Sequence, residues 1–364
     1  MSFTKCLHED RELSCRVLVD KIEKENNYDK KKILLHDFIT KAKSIRLVAQ
    51  TYYFQRILKT FVNDDVRGII KEMNVSDIPP KPRCDVAILT VKRRELDAAR
   101  IALGISLTQE EDKFHPSGYR YWEVRRFGKR QRQDINFVLT MVGLDRRINC
   151  ANACRTLFEN YDVGICILVG IAAGVKDKVN LGDVIVAKAV WDYEGTRIEP
   201  EGPMKRPDVL NPRLRLLRDL EYYDPSQTGW LDFFSDRFLL MKKTIREIPP
   251  VDDDWKPNFD VKIMLSGDKL VADGSLVKMR KDYHEGIRAL EMEAAGFAQT
   301  CEECGVPWLV FRGISDYGDP KTKDEKDSKT GLRKVWQSTA ALSAVTAAIN
   351  FIEHQYTIPK KNLL

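Results

Sequence analysis

The chain lacks several features that would assign it to a functional class at once. It has no apolar run of about 18 residues, the length that a membrane-spanning helix needs, and its first residues lack the apolar segment of a signal peptide. It has no GxxxxGK[ST] loop for phosphates, and its five histidines do not show the spacing of metal ligands. We therefore expect neither an integral membrane protein, nor a P-loop nucleotidase, nor a metal or cofactor enzyme.

A disulfide framework is absent as well. The eight cysteines are scattered and do not show the spacing of a small disulfide-bonded domain. Cys301 and Cys304 fall within a predicted helix with no second cysteine pair or histidine nearby, which favours two buried thiols over a zinc site. Reduced thiols predict a cytoplasmic location.

The charge is modest overall but uneven. The chain has 364 residues, 43% of them hydrophobic, and a net charge of +6. The segment from Lys113 to Arg147 alone contains nine basic and three acidic residues, which equals the whole excess. This segment is either a solvated hairpin with a basic turn or a surface for phosphates or nucleic acid. Because no nucleic-acid recognition motif accompanies it, we do not expect nucleic acid as a partner.

Hydrophobic periodicity divides the chain into regions. Residues 1–78 are highly charged with apolar residues at helical spacing, which predicts a small helical bundle for assembly or regulation. The proline-rich residues 79–84 predict a linker. Residues 85–355 alternate strands and helices, which predicts an α/β domain with a central mixed sheet flanked by helices, followed by a tail at 356–364. Residues 197–260 are predicted to be an insertion or lid on the side of the active site.

Within the α/β region, short runs rich in β-branched residues predict the strands. These are Asp85–Val91, Val163–Val169, Val184–Ala189, Val261–Leu265 and Trp308–Phe311, with Tyr119–Val124 and Ile135–Met141 paired around the basic turn. Helical spacing predicts helices at Glu95–Leu103, Asn149–Phe158, Leu214–Leu220 and Thr339–His354.

Two segments carry the candidate chemistry. Glu291-Met292-Glu293 puts two carboxylates around a methionine at the start of an apolar, small-residue helix, and Asp316 follows the strand Trp308–Phe311. In open α/β sheets, ligands bind outside the carboxyl ends of the strands. Carboxylates placed there can hold a polyol and protonate a leaving group.

These segments resemble the nucleoside phosphorylase and nucleosidase superfamily, and the pattern is most similar to that of methylthioadenosine/S-adenosylhomocysteine nucleosidases. The resemblance extends from Asp85 to Phe351 and implies a nucleoside phosphorylase-like fold that cleaves N-glycosidic bonds without a cofactor. By the resemblance, Glu95 activates the attacking water. Glu293 binds the ribose 2′- and 3′-hydroxyls, and Met292 packs under the sugar.

The resemblance also implies how the base is held. Asp316 would protonate or hydrogen-bond N7 of the purine, with Ser315 and Arg312 orienting it. The Val271 backbone would contact the base edge and Leu270 would pack on its face. Gly170 would begin a glycine turn below the sugar. On the residues alone, each feature has a structural alternative: a solvated helix-terminal glutamate, an acidic pair over a core methionine, a capping aspartate, and plain turns.

The nucleophile is inferred from two positions beside the glycine turn. Hexameric purine nucleoside phosphorylases place an arginine and a serine there to hold phosphate, whereas this chain has Leu168 and Ile171. Neither side chain can bind an anion, and Glu95 would repel one. Water is therefore favoured over phosphate.

Basic residues at two predicted turns bear on the substrate. Lys92, Arg93 and Arg94 precede Glu95, and Arg146 and Arg147 follow another strand. A 5′-phosphate or triphosphate would use such residues, which favours ATP or AMP, and we predict Arg94 and Arg146 as substrate ligands; solvated arginines explain these residues almost as well.

Family members with an added N-terminal domain include nucleotide-depleting effectors of bacterial antiphage defence. We therefore expect a purine nucleotide or nucleoside as the small-molecule partner, a homo-oligomer, and a regulatory partner for residues 1–78. The alternatives are a methylthioadenosine/S-adenosylhomocysteine nucleosidase, a phosphate-dependent phosphorylase and a catalytically idle nucleotide-binding module.

Overall fold

The computed structural model describes residues 81–358 apart from 201, 253–254 and 321–331, together with residues 21, 24 and 30. The predicted bundle at 1–78 and most of the predicted tail lie outside the described residues. The chain divides into two compact units: Met1–Arg83 with His115–Gly118 and Thr156–Asp162, and Cys84–Phe114 with Tyr119–Arg155 and Val163–Leu364. In the described part of the first unit, Lys81 Nζ donates to the Phe158 carbonyl over 2.7 Å, and Arg83 pairs with Asp162.

The strands in chain order are β1 (Arg83–Thr90), β2 (Lys113–Phe114), β3 (Arg120–Gly128), β4 (Gln133–Met141), β5 (Asp162–Gly174), β6 (Val184–Asp192), β7 (Thr196–Glu199), β8 (Gly202–Lys205), β9 (Asp208–Leu210), β10 (Phe259–Ser266), β11 (Ile287–Glu291) and β12 (Trp308–Asp316). The described helices are α1 (Arg93–Leu103), α2 (Arg147–Asn160), α3 (Leu214–Glu221), α4 (Trp230–Thr244), α5 (Leu276–Tyr283), α6 (Ala294–Glu303) and α7 (Leu332–His354).

Ten strands form one mixed sheet in the order β11-β10-β6-β12-β5-β1-β4-β3-β2, with β9 beside β6, and β7 and β8 pair in a separate two-stranded sheet. Strand β1 runs parallel to β4, β5 to β12, and β10 to both β6 and β11. Strand β3 pairs with β4 in an antiparallel hairpin around the basic turn, as predicted. The α/β class with a central mixed sheet is confirmed. The parallel pairs bring the carboxyl ends of several strands to one edge.

Helix α7 forms the centre of one helical layer. It packs against β12, α1 and α4, and its face contributes Leu342, Val345 and Ile349 to the main core. Its segment Lys334–His354 is long and apolar enough to cross a membrane, but 89% of its most apolar window is buried inside the protein. The apolar composition therefore reflects a core position.

The prediction of a lid at 197–260 is wrong for its helical part. Leu216 of α3 and Trp230, Phe234 and Met241 of α4 are buried in the same core as α7. No residue of this segment that the structure describes lines the candidate pocket at the sheet edge. The aromatic residues of α4 are core residues, and they make this helix part of the helical layer.

Three further predictions need correction. Strand β5 continues through Gly170 to Gly174, so the predicted glycine turn is extended backbone. Strand β11 was not predicted from the sequence, and Glu291 is its last residue. Cys301 is buried, as predicted, whereas Cys304 is exposed because α6 ends there.

Candidate active site

A pocket lies at the edge of the sheet where the strands end. Its lining comes from the turns after β1, β4 and β10 and from the last residues of β5, β11 and β12. The lining includes Glu95, Leu270, Val271, Met292, Glu293, Ser315 and Asp316. The structure thus brings together seven of the residues that the sequence singled out, although they are far apart along the chain.

Glu95 lies in the first turn of α1 and is only 4% exposed. Its Oε2 accepts the backbone N–H groups of Val91 (2.7 Å) and Lys92 (2.9 Å), and its Oε1 accepts that of Ile171 (3.0 Å). Three backbone donors fix the carboxylate at the floor of the pocket. A solvated helix-terminal glutamate, the structural alternative, does not have this geometry.

Gly170 does not line the pocket, but it makes the arrangement behind Glu95 possible. A β-carbon at this position would lie 2.2 Å from Arg312 Nη1 and 2.6 Å from Glu95 Oε1. Both side chains are buried, so neither has room to move away. Glycine is therefore required because two functional groups approach the backbone, and no turn is involved.

Glu95, Glu291 and Glu293 surround Arg312 in what we call the carboxylate cluster. The fully buried Arg312 Nη2 donates to Glu291 Oε2 and to Glu293 Oε2, the latter over 3.1 Å. Glu291 also accepts the backbone N–H groups of Glu293 and Ala294, and so caps the start of α6. From the sequence, Glu291 was only one of two carboxylates around Met292, and its contact with Arg312 was not predicted.

Three carboxylates around one guanidinium leave an excess of negative charge in a buried place. Burial raises the pKa of Glu293 to about 7; Arg312 opposes the shift, and Glu291 and Glu95 add to it. Burial alone would lower the pKa of Arg312, but the three carboxylates outweigh that effect and raise it. Arg312 therefore remains charged, and the cluster suits a ligand that carries or develops positive charge.

Asp316 ends β12 and faces the same pocket. Its Oδ2 accepts the hydroxyl of Ser315 over 2.8 Å, and its Oδ1 accepts the backbone N–H of Gly318 over 3.0 Å. Ser315 is thus placed to orient Asp316, as predicted from the resemblance. Arg312, predicted to share this task, is fully buried and donates instead to Glu291 and Glu293.

Five basic residues lie at the two turns, and we call them the mouth cations: Lys92, Arg93, Arg94, Arg146 and Arg147. Their side chains have different partners. Only Lys92 lines the pocket. Arg93 pairs with Asp97, and Arg147 pairs with Asp192 and Asp268. Arg94 donates to Glu247 and to the Lys334 carbonyl, outside the pocket lining.

Arg146 is nearer the site through its backbone than through its side chain. Its N–H donates to Glu293 Oε1 over 3.3 Å with φ at +86°, and its side chain is exposed. Of the two mouth cations predicted as substrate ligands, Arg94 is therefore not brought to the pocket, and Arg146 helps to position Glu293.

The comparisons with known proteins agree with this geometry. The phosphorylase superfamily pattern matches residues 126–350. The ATP nucleosidase Cap17 of Escherichia coli is 27% identical over 277 residues, which cover 74% of this chain and 51% of that protein. A 5′-methylthioadenosine/S-adenosylhomocysteine nucleosidase of Exiguobacterium sp. is 27% identical over 174 residues, 48% of this chain and 64% of the relative. The chain thus spans about half the length of the ATP nucleosidase that it matches.

Solved structures show the same fold. A 5′-methylthioadenosine/S-adenosylhomocysteine nucleosidase from Neisseria meningitidis, in complex with methylthio-immucillin-A, superposes with a TM-score of 0.51 at 18% identity, over 74% of this chain and 98% of that one. A futalosine hydrolase of Helicobacter pylori superposes with a TM-score of 0.51 at 13% identity, over 74% and 97%. With the match over residues 126–350 and a pocket at the expected sheet edge, this chain belongs to the phosphorylase superfamily.

Proposed function

We propose that this chain is an N-glycosyl hydrolase that releases adenine from an adenine nucleotide, ATP or AMP. The observation that carries the proposal is that Glu95, Glu293 and Asp316 face one pocket at the carboxyl edge of the sheet. The similarity to an ATP nucleosidase over 74% of the chain supports the nucleotide as substrate.

The reaction would divide between the two ends of the pocket. Glu293 accepts hydrogen bonds from the ribose 2′- and 3′-hydroxyls, and Met292 packs under the sugar. As the bond between C1′ and N9 breaks, its electron pair moves into the purine and Asp316 supplies a proton or hydrogen bond at N7. Leu270 and the Val271 backbone hold the base. Positive charge develops on the sugar, and the carboxylate cluster stabilises it.

Water completes the reaction at C1′. Its oxygen bonds to C1′ and its proton passes to Glu95, whose Oε1 lies against Gly170 beside Arg312 Nη1. Phosphate is disfavoured as the nucleophile because the buried Leu168 and the aliphatic Ile171 offer no side-chain donor to an anion. The excess negative charge of the carboxylate cluster would also repel it.

A second substrate class is favoured by one observation. At the mouth of the pocket, Lys92 Nζ lies 2.8 Å from Asp145 Oδ2, so the single lysine at that place is already neutralised. Such a mouth accepts an uncharged 5′-group, as in methylthioadenosine, and nucleosidases of that type are among the relatives. A phosphate-dependent phosphorylase and an idle nucleotide-binding module remain as alternatives from the sequence.

The test is to incubate the full chain with ATP, AMP, adenosine and methylthioadenosine, with and without phosphate, and to identify the base and sugar released. We expect free adenine and a sugar with an unmodified C1 hydroxyl, without a need for phosphate. A sugar 1-phosphate as the main product would make the chain a phosphorylase. Ligand binding without release of base would leave only the idle binding module.

The predicted domain organisation enters the same proposal. We propose that residues 1–78 form a separate helical domain that mediates homo-oligomer assembly or receives a regulatory signal, in a cytoplasmic enzyme that depletes nucleotides in antiphage defence. Deleting residues 1–78 should then leave a folded α/β domain with altered assembly, measured by circular dichroism and light scattering. An insoluble truncation would show that these residues are part of one core.

A further inference from the structure

The ion pair between Lys92 and Asp145 joins two turns across the mouth of the pocket. Lys92 follows β1 and Asp145 follows β4, and both line the pocket. The side chains are 50% and 44% exposed, so the pair lies where the pocket opens to solvent. The Lys92 backbone N–H also donates to Glu95 Oε2, which ties the position of this lysine to the carboxylate at the pocket floor.

The place of the pair relative to a substrate follows from the rest of the pocket and rests on the proposed function. Asp316, Leu270 and Val271 lie at the base end, and Met292 and Glu293 hold the sugar. Lys92 donates its backbone N–H to Glu95, and Asp145 precedes Arg146, whose N–H donates to Glu293, so both members of the pair follow the sugar-side carboxylates and not the residues at the base end. In a nucleoside the group farthest from the base across the ribose is the 5′-substituent. The ion pair therefore faces the 5′ end.

We propose that Lys92 and Asp145 form a specificity pair for the 5′-substituent, in which Lys92 binds a 5′-phosphate and Asp145 is the internal anion that the phosphate must displace. Phosphate oxygens and the Asp145 carboxylate compete for one ammonium group. A neutral 5′-group leaves the ion pair intact and meets no unpaired charge. Asp145 thus weakens the preference for nucleotides over nucleosides, and Lys92 creates it.

The experiment compares kcat/KM for AMP, ATP, adenosine and methylthioadenosine in the full chain and three variants. Lys92→Met should lower kcat/KM for AMP relative to methylthioadenosine by about tenfold, the scale of one charge-assisted hydrogen bond. Asp145→Asn should raise the same ratio by about three- to tenfold, because Lys92 is no longer neutralised. In the double variant the Asp145→Asn gain should disappear, since it acts only through Lys92.

A matched control lies at the other end of the same pocket. Lys269 also lines the pocket and pairs with Glu194 over 2.7 Å, but it follows β10 beside the base. Lys269→Met should leave the ratio of AMP to methylthioadenosine unchanged, whatever it does to both rates. Thermal melts of each variant check that the fold is intact.

The outcomes separate the two proposals. A lower ratio of kcat/KM for AMP to that for methylthioadenosine in Lys92→Met, with a higher ratio in Asp145→Asn, supports the specificity pair. Adenine release by the wild type with an unchanged ratio in both variants overturns the pair and leaves the hydrolase standing. A fall in adenosine turnover in Asp145→Asn alone would make Asp145 a ligand of the 5′-hydroxyl and also overturn the pair. No adenine from any substrate would overturn the proposed function and this inference with it.

Discussion

The carboxylate cluster and the mouth cations lie at the same edge of the sheet, yet the protein holds them in opposite ways. Glu95, Glu291, Glu293 and Arg312 are at most 6% exposed, and backbone amides orient the glutamates. The mouth cations are partly or largely exposed, and most pair with surface carboxylates. Buried groups fixed by backbone donors are preorganised for chemistry, whereas exposed pairs are screened by solvent. Substitutions in the two sets should therefore differ greatly in effect.

The largest expected effect is on turnover, at the two residues proposed to move protons. Glu95→Gln and Asp316→Asn keep the shape of each side chain but remove its proton transfer, and each should lower kcat by about two to four orders of magnitude. Steady-state adenine release measures this. The conservative change Glu247→Gln outside the pocket is the control and should stay close to wild type. Wild-type turnover by either site variant would remove that residue from the chemistry.

Arg312 and Arg147 allow the comparison to be made with one residue type. Each guanidinium bridges two carboxylates, but the Arg312 side chain is 0% exposed and that of Arg147 is 26% exposed. Arg312→Met leaves buried carboxylates without their cation and should lower the free energy of unfolding by about 3–5 kcal/mol. Arg147→Met should cost only about 1 kcal/mol, since its partners can be hydrated. Urea denaturation at pH 8 measures both, and equal losses would contradict the proposed difference.

The raised pKa of Glu293 predicts a pH dependence of stability. The folded carboxyl titrates near pH 7 and the unfolded one near 4.5, so between these values the folded state binds a proton that the unfolded state has lost. The stability that this proton gives is complete below pH 4.5 and is lost as the pH rises to 7. Between pH 5 and 8 the wild type should lose on the order of 2 kcal/mol relative to Glu293→Gln. If the free energies of unfolding of the two proteins changed in parallel with pH, the pKa of Glu293 would not be raised.

Local patterns in the sequence predict some elements of the fold and of the site, whereas contacts between distant segments are not visible in them. The pairing of β3 with β4 follows from local patterns. Glu95, Glu293 and Asp316 were identified through the resemblance to the family; the structure brings them to one pocket, and their roles stay predictions. Arg312 was found, but its contacts with two glutamates depend on the missed strand β11, whose five residues carry little periodicity. The core position of α4 was missed because periodicity shows an apolar face and not the element that covers it.

The smallest expected effect belongs to Arg94, which the sequence favoured as a phosphate ligand. Its guanidinium is bound to Glu247 and to the Lys334 carbonyl, outside the pocket lining, and no substrate phosphate is needed to satisfy it. Arg94→Met should therefore change KM for ATP and for adenosine by less than about fivefold, since a partly exposed ion pair contributes less than about 1 kcal/mol. Lys92→Met, two residues earlier in the chain, is the matched comparison and should discriminate between the two substrates. A selective rise in KM for ATP in Arg94→Met would mean that Arg94 leaves Glu247 when a nucleotide binds. Basic residues in exposed ion pairs at this edge could then exchange their carboxylate partner for a substrate phosphate.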